Sequence, residues 1–388
     1  MKTTLLLLLT CCTLFVAAQE KQREIRIGLF SSLYLDQHFN GSGELLNPRE
    51  FPKKTLPGVE FYEGVSLAVD SLNARGIAAR LKVFDVQSLH GNISQAFENG
   101  VFDGLDLIIA QLGANEFLQL AVIAQEMNIP LVNATYPNTK GITASPLVYI
   151  ANPTINTHLS TIQKKLTYSW RKANIIWISK VNEPEKRLEN LFKTINSNQG
   201  YNSVSYKTVI LKDGFLLEDL TKQMDSTKPN VIIIGSLEDP FCIKVAKTVS
   251  TLPARNQIHL IGMPNLEGLK ELQSKQYAGL PIYFTTAFQV PGENAFVKNM
   301  DDQFRSAMGI KCPSMVLKGF ELTYYFCSIL GQKGKIEIGH PLEKSFKVMT
   351  DFDFKPVFLQ ANSKTADYFE NKNILFMRRL NMVTLPYF

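Results

Sequence analysis

The sequence contains few of the residues that build metal and redox centres. Its 388 residues include only 5 cysteines, 5 histidines and 2 tryptophans. The histidines are far apart, and neither they nor any Cys-x-x-Cys pair provide the spacing of a metal ligand set. We therefore expect no metal site.

The sequence also lacks the short motifs of the common nucleotide-dependent and hydrolytic enzymes. No Gly-x-Gly-x-x-Gly follows a strand, because Gly28 is followed by Leu-Phe-Ser. Neither a phosphate-binding Gly-x-x-x-x-Gly-Lys-Ser/Thr nor a Gly-x-Ser-x-Gly elbow occurs. We expect a protein that is not an enzyme, with no catalytic residues and no cofactor.

Long apolar runs are absent except at the N-terminus. Met1-Lys2 gives a positive start, an apolar stretch follows from Leu5 to Phe15, and Val16-Ala17-Ala18 provides the small residues that a signal peptidase needs. This stretch is shorter than the roughly 20 residues that span a bilayer. It predicts a signal peptide over residues 1–18, export to the periplasm and no transmembrane anchor. Lipidation at Cys11 or Cys12 is disfavoured, because the residues before them fit a lipobox poorly.

No strong charge of one sign is present. The formal net charge of +6 falls to +5 when Lys2 leaves with the signal peptide, since 6 minus 1 is 5. Basic and acidic residues are interspersed, so the sequence has no nucleic-acid-binding footprint. The charge gives no reason to expect an acidic ligand either.

Three cysteines remain after cleavage, namely Cys242, Cys312 and Cys327. An odd number cannot form a complete disulfide framework. Two interpretations remain open: Cys312 and Cys327 pair in an oxidising compartment, or all three are half-buried thiols.

The mature chain of about 370 residues exceeds what a single core usually supports, which favours two domains of about 150 residues. Its first part alternates apolar strands with helices, and Gly76 stands where a helix C-cap belongs. The predicted strands are Glu24 to Leu29, Leu81 to Val86, Asp106 to Ala110 and Pro130 to Asn133; the predicted helices are Val59 to Asn73, Ile93 to Val101 and Glu116 to Met127.

A second alternation follows a stretch rich in Thr, Asn, Pro and Gly. Its predicted strands are Ala173 to Ile178, Ser205 to Leu211, Val231 to Gly235 and Ile258 to Ile261; its predicted helices are Pro184 to Asn196, Phe215 to Met224 and Pro240 to Ser250. Tyr283 to Phe288 is extended, and two long helices follow, Ala295 to Met308 and Pro313 to Gly331. The tail from Phe352 to Tyr387 alternates like a hairpin, with its turn at Asn371-Lys372-Asn373.

Strands that are apolar nearly throughout and alternate with helices belong to parallel sheets covered on both faces. We therefore predict an α/β fold of two doubly wound parallel-sheet lobes joined by a multi-strand hinge. The expected division is a first lobe from 19–150 and 285–340, a second lobe from 151–284, and a C-terminal segment 341–388 packed on the second lobe and the hinge.

Several stretches resemble the type I periplasmic binding proteins, in the branch of the branched-chain amino-acid receptors of ABC importers. They are Ile25-Arg26-Ile27-Gly28-Leu29-Phe30, Phe61-Tyr62-Glu63-Gly64-Val65-Ser66-Leu67-Ala68-Val69-Asp70-Ser71-Leu72-Asn73, Leu81-Lys82-Val83-Phe84-Asp85-Val86, Ile129-Pro130-Leu131-Val132-Asn133-Ala134-Thr135 and Asn152-Pro153-Thr154. The resemblance spans nearly all of the mature chain in order and is weak after Phe288.

The resemblance implies two lobes joined by three strands that close on a small ligand. We therefore expect an exported solute-binding protein that captures an amino acid, a short peptide or a related amide and delivers it to an inner-membrane ABC permease. The alternative is a periplasmic sensor or envelope scaffold of the same fold that transports nothing, because fold does not fix function.

Ligands of open α/β sheets bind beyond the carboxyl ends of the strands. In the first lobe this rule selects the residues after the first, third and fourth strands. They are Ser31, Ser32, Tyr34, Leu112, Gly113, Ala114, Asn115, Asn133, Ala134, Thr135 and Tyr136.

Gly113 has two interpretations. It lets a ligand anion approach backbone amides at a helix N-terminus, or it forms a left-handed turn before a helix capped by Asn115. Thr135 matches the position where the family uses a hydroxyl to hold an amino acid, but Asn133 and Tyr136 depart from the family's small-residue run.

In the second lobe the same rule selects Lys180, Asn182, Ser236, Glu238 and Asn265. Glu238 is expected to neutralise a ligand ammonium. Asp239 is the alternative for this role, but Asp239 followed by Pro240 is typical of the N-cap and the first residue of a helix.

The stretch from Asp36 to Pro57 is longer than the usual βα loop of about 2–6 residues. It carries His38, Phe39 and Phe51. We expect either a lid or partner surface beside the ligand, or a solvated loop.

Overall fold

The computed structural model describes residues 23–47, 52–89, 91–139, 141–212, 214–252, 257–288, 294–336, 341–360 and 362–388. The predicted signal peptide and Phe51 lie outside these ranges.

Strands and helices alternate along most of the chain. The strands are β1 Ile25–Ser31, β2 Ala79–Asp85, β3 Leu107–Gln111, β4 Leu131–Asn133, β5 Val148–Ile150, β6 Asn174–Ser179, β7 Lys207–Ile210, β8 Asn230–Ile234, β9 Ile258–Ile261, β10 Ile282–Thr286, β11 Phe354–Val357, β12 Tyr368–Asn371, β13 Leu375–Leu380 and β14 Val383–Pro386. The α-helices are α1 Leu35–His38, α2 Leu56–Ala74, α3 Ile93–Glu98, α4 Ala114–Glu126, α5 Ile155–Trp170, α6 Glu183–Ser197, α7 Leu217–Thr221, α8 Asp239–Ser250, α9 Ala295–Met308 and α10 Ser314–Lys333.

The strands form two sheets of seven. The first has the order β11-β12-β5-β4-β3-β1-β2, and the second has the order β14-β13-β10-β9-β8-β6-β7. The pairs from β5 to β2 and from β10 to β7 are parallel, whereas β13 runs antiparallel to β10 and β14. The predicted α/β fold with two parallel-sheet lobes is confirmed.

Both faces of the second sheet are covered by apolar side chains. In β8, Ile232 and Ile234 join a cluster with Phe241 on one face, while Val231 and Ile233 join a cluster with Phe192 on the other. All five residues of β8 are buried. This explains why the strand reads as a continuous apolar run rather than an alternating one.

The two longest helices, α2 and α10, approach each other at glycines. A methyl group on Gly64 would lie 2.0 Å from the carbonyl oxygen of Val316, and one on Gly319 would lie 2.3 Å from that of Phe61. Only residues without a side chain allow backbones to pack this closely. The Gly64 of the resemblance motif therefore has a packing role.

Helix ends follow the sequence signals. α2 stops where Gly76 adopts φ +84°, and the amide of Ile77 donates to the carbonyl of Leu72. This is the expected glycine cap. Most other boundaries lie within two or three residues of the predicted ones.

The chain divides into two compact units. The described residues up to Asn152 and from 294 to Glu370 form unit 1, and those from Pro153 to 288 and Asn371–Phe388 form unit 2. The chain passes between the units three times.

The prediction for the tail was wrong in two respects. Residues 341–370 belong to unit 1, because β12 pairs with β5 and β11 extends that sheet further. The hairpin is formed by β13 and β14, and its turn lies at Asn381 and Met382, both with positive φ, rather than at Asn371-Lys372-Asn373.

Within the described ranges, no helix has the length and apolar character needed to cross a membrane. No group of three or more His, Cys, Asp or Glu side chains in this part of the chain is arranged to hold a metal ion. Cys242, Cys312 and Cys327 are buried free thiols, so Cys312 and Cys327 do not pair.

Candidate ligand-binding site

The predicted residues of the first lobe lie at one edge of the first sheet. β4, β3 and β1 are adjacent and parallel, so their carboxyl ends share this edge. Ser31 ends β1, Asn133 ends β4, and Leu112 follows β3. Unit 1 therefore brings together the residues chosen by the strand-end rule.

Several of these side chains form hydrogen bonds with other residues at the same edge. The Ser31 hydroxyl donates to Oε1 of Gln111 at 2.8 Å, and the same oxygen accepts the amide of Ser32 at 3.3 Å. Asn133 is buried; its Nδ2 donates to the Tyr136 carbonyl at 2.8 Å, and its Oδ1 accepts the Tyr136 amide at 3.0 Å. Ser31 and Asn133 thus shape the loops, and their polar side-chain atoms already have partners within the fold.

The hydroxyls of Ser32 and Thr135 are different. Both residues are half-buried, and neither hydroxyl has a hydrogen-bond partner among the described residues. The carbonyl of Thr135 accepts Nδ2 of Asn152 at 2.7 Å, which fixes the loop that carries the hydroxyl. Burial raises the pKa of Tyr136, so its phenol remains a protonated donor. These three hydroxyls are the groups available for a polar ligand.

The interpretation of Gly113 as a left-handed turn before a helix capped by Asn115 is wrong. Gly113 is the N-cap, but its φ of −80° is not left-handed, and no side chain caps the helix. Asn115 is the second residue of α4 instead of its cap and is exposed. Ala114 is the first residue of the helix and is half-buried.

An acidic residue stands in the first turn of α4. The carboxylate of Glu116 reaches back toward Gly113, where Oε2 lies 3.1 Å from the position of a Cβ. Its other oxygen, Oε1, accepts Nε2 of Gln87 at 3.1 Å. A carboxylate at the third helical position is favourable because it interacts with the positive end of the helix.

Tyr34 begins the long insertion in a left-handed conformation, with φ 55° and ψ 35°. The ammonium of Lys54 lies 4.5 Å from its ring centroid. Both oxygens of Asp85 accept amides from the same stretch, those of Leu33 at 2.9 Å and Leu35 at 2.8 Å. The insertion therefore begins in a short helix, and the residues around its start are hydrogen-bonded to the end of β2. None of the four helical residues is buried.

In unit 2, the predicted Glu238 already has partners. Its Oε2 lies 2.8 Å from Nζ of Lys180, and its Oε1 accepts Nδ2 of Asn182 at 3.2 Å. Glu238 is also the N-cap residue of α8, so the prediction of Asp239 as the cap was wrong by one position and Asp239 is the first helical residue. The carboxylate is thus neutralised by Lys180 rather than left for a ligand ammonium.

A buried carboxylate is hydrogen-bonded to two of the predicted residues of unit 2. Glu185 is 3 % exposed and accepts the Lys180 amide and the Ser236 hydroxyl. Asn182 caps α6 by accepting the Glu185 amide at 2.9 Å. Ser236 in turn accepts the amide of Glu238 at 3.1 Å. Lys180, Asn182, Ser236 and Glu238 do come together, but as an internally satisfied network.

Asn265 retains one unused atom. Its Nδ2 donates to Oδ1 of Asp239 at 2.8 Å, while its Oδ1 is buried without a hydrogen-bond partner.

Sequence reasoning missed Glu116, Glu185 and Asp85. Glu116 stands three positions after the cap residue, which is a recognisable helix-start signal. Asp85 ends a strand and was accessible to the strand-end rule. Glu185 also stands three positions after a cap residue, Asn182, but its hydrogen bond with Ser236 joins residues distant in sequence.

A cavity of about 580 Å³ lies at the opposite edge of the second sheet, around the amino ends of β6, β7 and β8. Its lining includes Arg171, Lys172, Lys207 and Lys228. It does not include any of the predicted ligand-binding residues.

No family model matches the sequence, and no curated protein matches it. Solved structures do match its fold over nearly the whole chain. A putative branched-chain amino acid ABC transporter protein from Rhodospirillum rubrum is 11% identical with a TM-score of 0.65, covering 94% of this chain and 100% of its own.

Two further solved structures have a similar fold. An ABC transporter substrate-binding protein from Desulfitobacterium hafniense is 14% identical with a TM-score of 0.59, covering 94% of this chain and 100% of its own. The branched-chain amino acid substrate-binding protein LivJ from Streptococcus pneumoniae, in complex with isoleucine, is 13% identical with a TM-score of 0.53, covering 94% and 99%. The chain thus has the type I periplasmic binding protein fold.

Proposed function

We propose that this protein is an exported solute-binding protein that closes on a small ligand and passes it to an ABC importer in the inner membrane. The ligand is an amino acid, a short peptide or a related amide, held at the carboxyl edges of the two sheets. The protein acts in the periplasm after its signal peptide is removed. It binds no nucleic acid, and we propose no catalytic activity for it.

The observation that carries the proposal is the pair of seven-stranded α/β units between which the chain passes three times. This is the fold of the solute-binding proteins described above. Several connecting segments between two units are suited to a hinge, and hinge closure on a ligand gives a state that a transporter partner distinguishes from the open one.

The free hydroxyls of unit 1 support the position of the site. Ser32 and Thr135 lie at the carboxyl edge of adjacent strands, and their hydroxyls have no partner in the described part of the chain. Hydroxyls that both donate and accept suit an amide or an amino-acid ligand. We propose that they contact the ligand together with Tyr136.

A thermal-shift screen of the protein from Gln19 onward tests the proposal. The panel consists of amino acids, short peptides, sugars and cell-wall fragments. A ligand at 100 times its dissociation constant stabilises the folded protein by about 2.7 kcal/mol, so we expect at least one compound to raise the melting temperature by several degrees.

The variant Thr135→Ala should lose most of this shift, and Thr143→Ala is the matched control because that threonine is exposed on a loop of the same unit. An equal loss in both variants would contradict the proposed site. No shift with any compound would contradict the binding function.

A second candidate function is favoured by the network in unit 2. Lys180, Glu238 and Asn182 pair with one another, so their charges are balanced without a ligand. A sensor or envelope scaffold with the same fold would need no exposed binding groups there. The absence of any thermal shift, together with unchanged stability in Thr135→Ala, would favour this candidate.

A further inference from the structure

If the protein binds a small ligand as proposed, the negative charge of Glu116 at the start of α4 affects which class of ligand it binds. A helix N-terminus that opens onto a ligand site normally attracts an anion, because its amides are unpaired and the helix dipole is positive there. A free amino acid would direct its carboxylate to such a place. In this chain the start of α4 already carries a carboxylate side chain.

Glu116 is that anion. Its Oε2 lies 3.1 Å from the position of a Cβ on Gly113, the N-cap residue, and Oε1 is held by Nε2 of Gln87 at 3.1 Å. The side chain is half-buried, and the hydrogen bond that Gln87 donates to Oε1 restrains it. No side chain caps α4 in its stead.

The negative charge of Glu116 interacts favourably with the helix N-terminus, but it has no ion-pair partner among the described residues. Asp85, whose oxygens accept the amides of Leu33, Leu35 and Gln87, ends the strand β2 next to β1. No salt bridge to Glu116 or Asp85 occurs among the described residues. A second carboxylate brought to this turn would meet a like charge at short range, and such pairs repel strongly in a partly desolvated site.

We propose that Glu116 is a specificity-determining residue that excludes ligands with a free α-carboxylate from the start of α4. The preferred ligand presents a neutral amide or another hydrogen-bond donor there. This class includes amidated amino acids and the internal peptide groups of short peptides. It differs from the leucine and isoleucine named for two of the similar structures.

The test compares L-leucine with L-leucinamide by isothermal titration calorimetry. The two probes share the side chain and the ammonium and differ only in the carboxylate. The wild-type protein should bind leucinamide at least tenfold more tightly than leucine. Glu116→Gln keeps the acceptor for Gln87 and removes the charge, so it should bind leucine at least tenfold more tightly than the wild type does.

Glu126→Gln is the matched control, because Glu126 lies exposed at the other end of the same helix. It should leave both affinities unchanged. Equal affinity of the wild type and Glu116→Gln for leucine would overturn the inference while leaving the binding function in place. If neither probe binds any of the three proteins while other compounds of the thermal-shift panel bind, the inference is also overturned. If no compound binds, the proposed binding function is overturned as well.

Discussion

At the scale of single residues, polar side chains at the predicted site are of two kinds. Ser31, Asn133 and Glu238 are committed to neighbouring groups, whereas the hydroxyls of Ser32 and Thr135 have no partner in the described ranges. The strand-end rule selects both kinds, because it depends on position along the chain and not on partners. The contacts of Ser31 with Gln111 and of Glu238 with Lys180 join residues far apart in sequence, whereas Asn133 and Tyr136 are close neighbours in the chain.

Glu321 illustrates a buried charge with a structural role. It is 2 % exposed on α10, where Oε1 accepts the Met349 amide at 2.8 Å and Oε2 accepts the Thr350 hydroxyl at 2.8 Å. Burial raises the pKa of this carboxyl above its ordinary 4.5, although the hydrogen bonds from Thr350 and Met349 and the charge of Lys347 act in the opposite direction.

The raised pKa has a consequence for stability. Because the folded pKa of Glu321 lies above the unfolded one, its protonation stabilises the fold fully below pH 4.5, and this contribution is lost as the pH rises through the folded pKa. Glu321→Gln removes the titration. The free energy of unfolding of the variant relative to the wild type should therefore increase with pH across this window.

Urea unfolding of both proteins at several pH values from about 4 to 8 measures the effect. Glu126→Gln, an exposed carboxyl in unit 1, serves as the control and should follow the wild type throughout. Parallel pH dependences of the wild type and Glu321→Gln would contradict the raised pKa.

At the scale of secondary-structure elements, the helices α2 and α10 show how much the sequence predicts. Their existence and apolar faces follow from helical periodicity, and the C-cap of α2 follows from Gly76. The packing of α2 against α10 does not follow from the sequence, because the two helices are separated by more than two hundred residues. The short spacing between them depends on Gly64 and Gly319, whose role is visible only once the backbones are in contact.

The Gly319→Ala variant tests this contact. Its new methyl group would lie 2.3 Å from the carbonyl oxygen of Phe61, and backbone cannot move aside as a flexible side chain does. Despite the higher helix propensity of alanine, we expect a loss of about 1–3 kcal/mol in the free energy of unfolding, measured as a lower urea midpoint at unchanged slope.

Gly41→Ala is the control, since nothing lies within 4 Å of the added methyl and the glycine has no positive φ. It should leave the midpoint essentially unchanged. Equal midpoints for Gly319→Ala and Gly41→Ala would show that the two helices are not held at backbone contact.

Edge strands were the least predictable elements. The central strands are apolar throughout because helices cover both faces, so they stand out in the sequence. β11 has two exposed residues among its four and reads as part of a polar tail. β12 pairs with β5, which is distant in sequence, and this is why residues 341–370 were assigned to the wrong lobe.

At the scale of the whole molecule, the alternation of strands and helices was sufficient to predict two α/β lobes. Apolar runs of four to six residues separated by amphipathic helices have few other solutions. The ligand is less accessible to such reasoning, because it depends on which polar atoms remain unpaired after folding. Glu116 and Lys180 change the expected charge of the site, and neither effect follows from composition.

The proposed function requires that ligand binding change the relation between the two units. Small-angle X-ray scattering of the protein from Gln19 onward, with and without a compound from the thermal-shift panel at 100 times its dissociation constant, measures this directly. We predict a smaller radius of gyration with the ligand and no change with a panel compound that gives no thermal shift. An unchanged radius of gyration at saturation would contradict closure on a ligand.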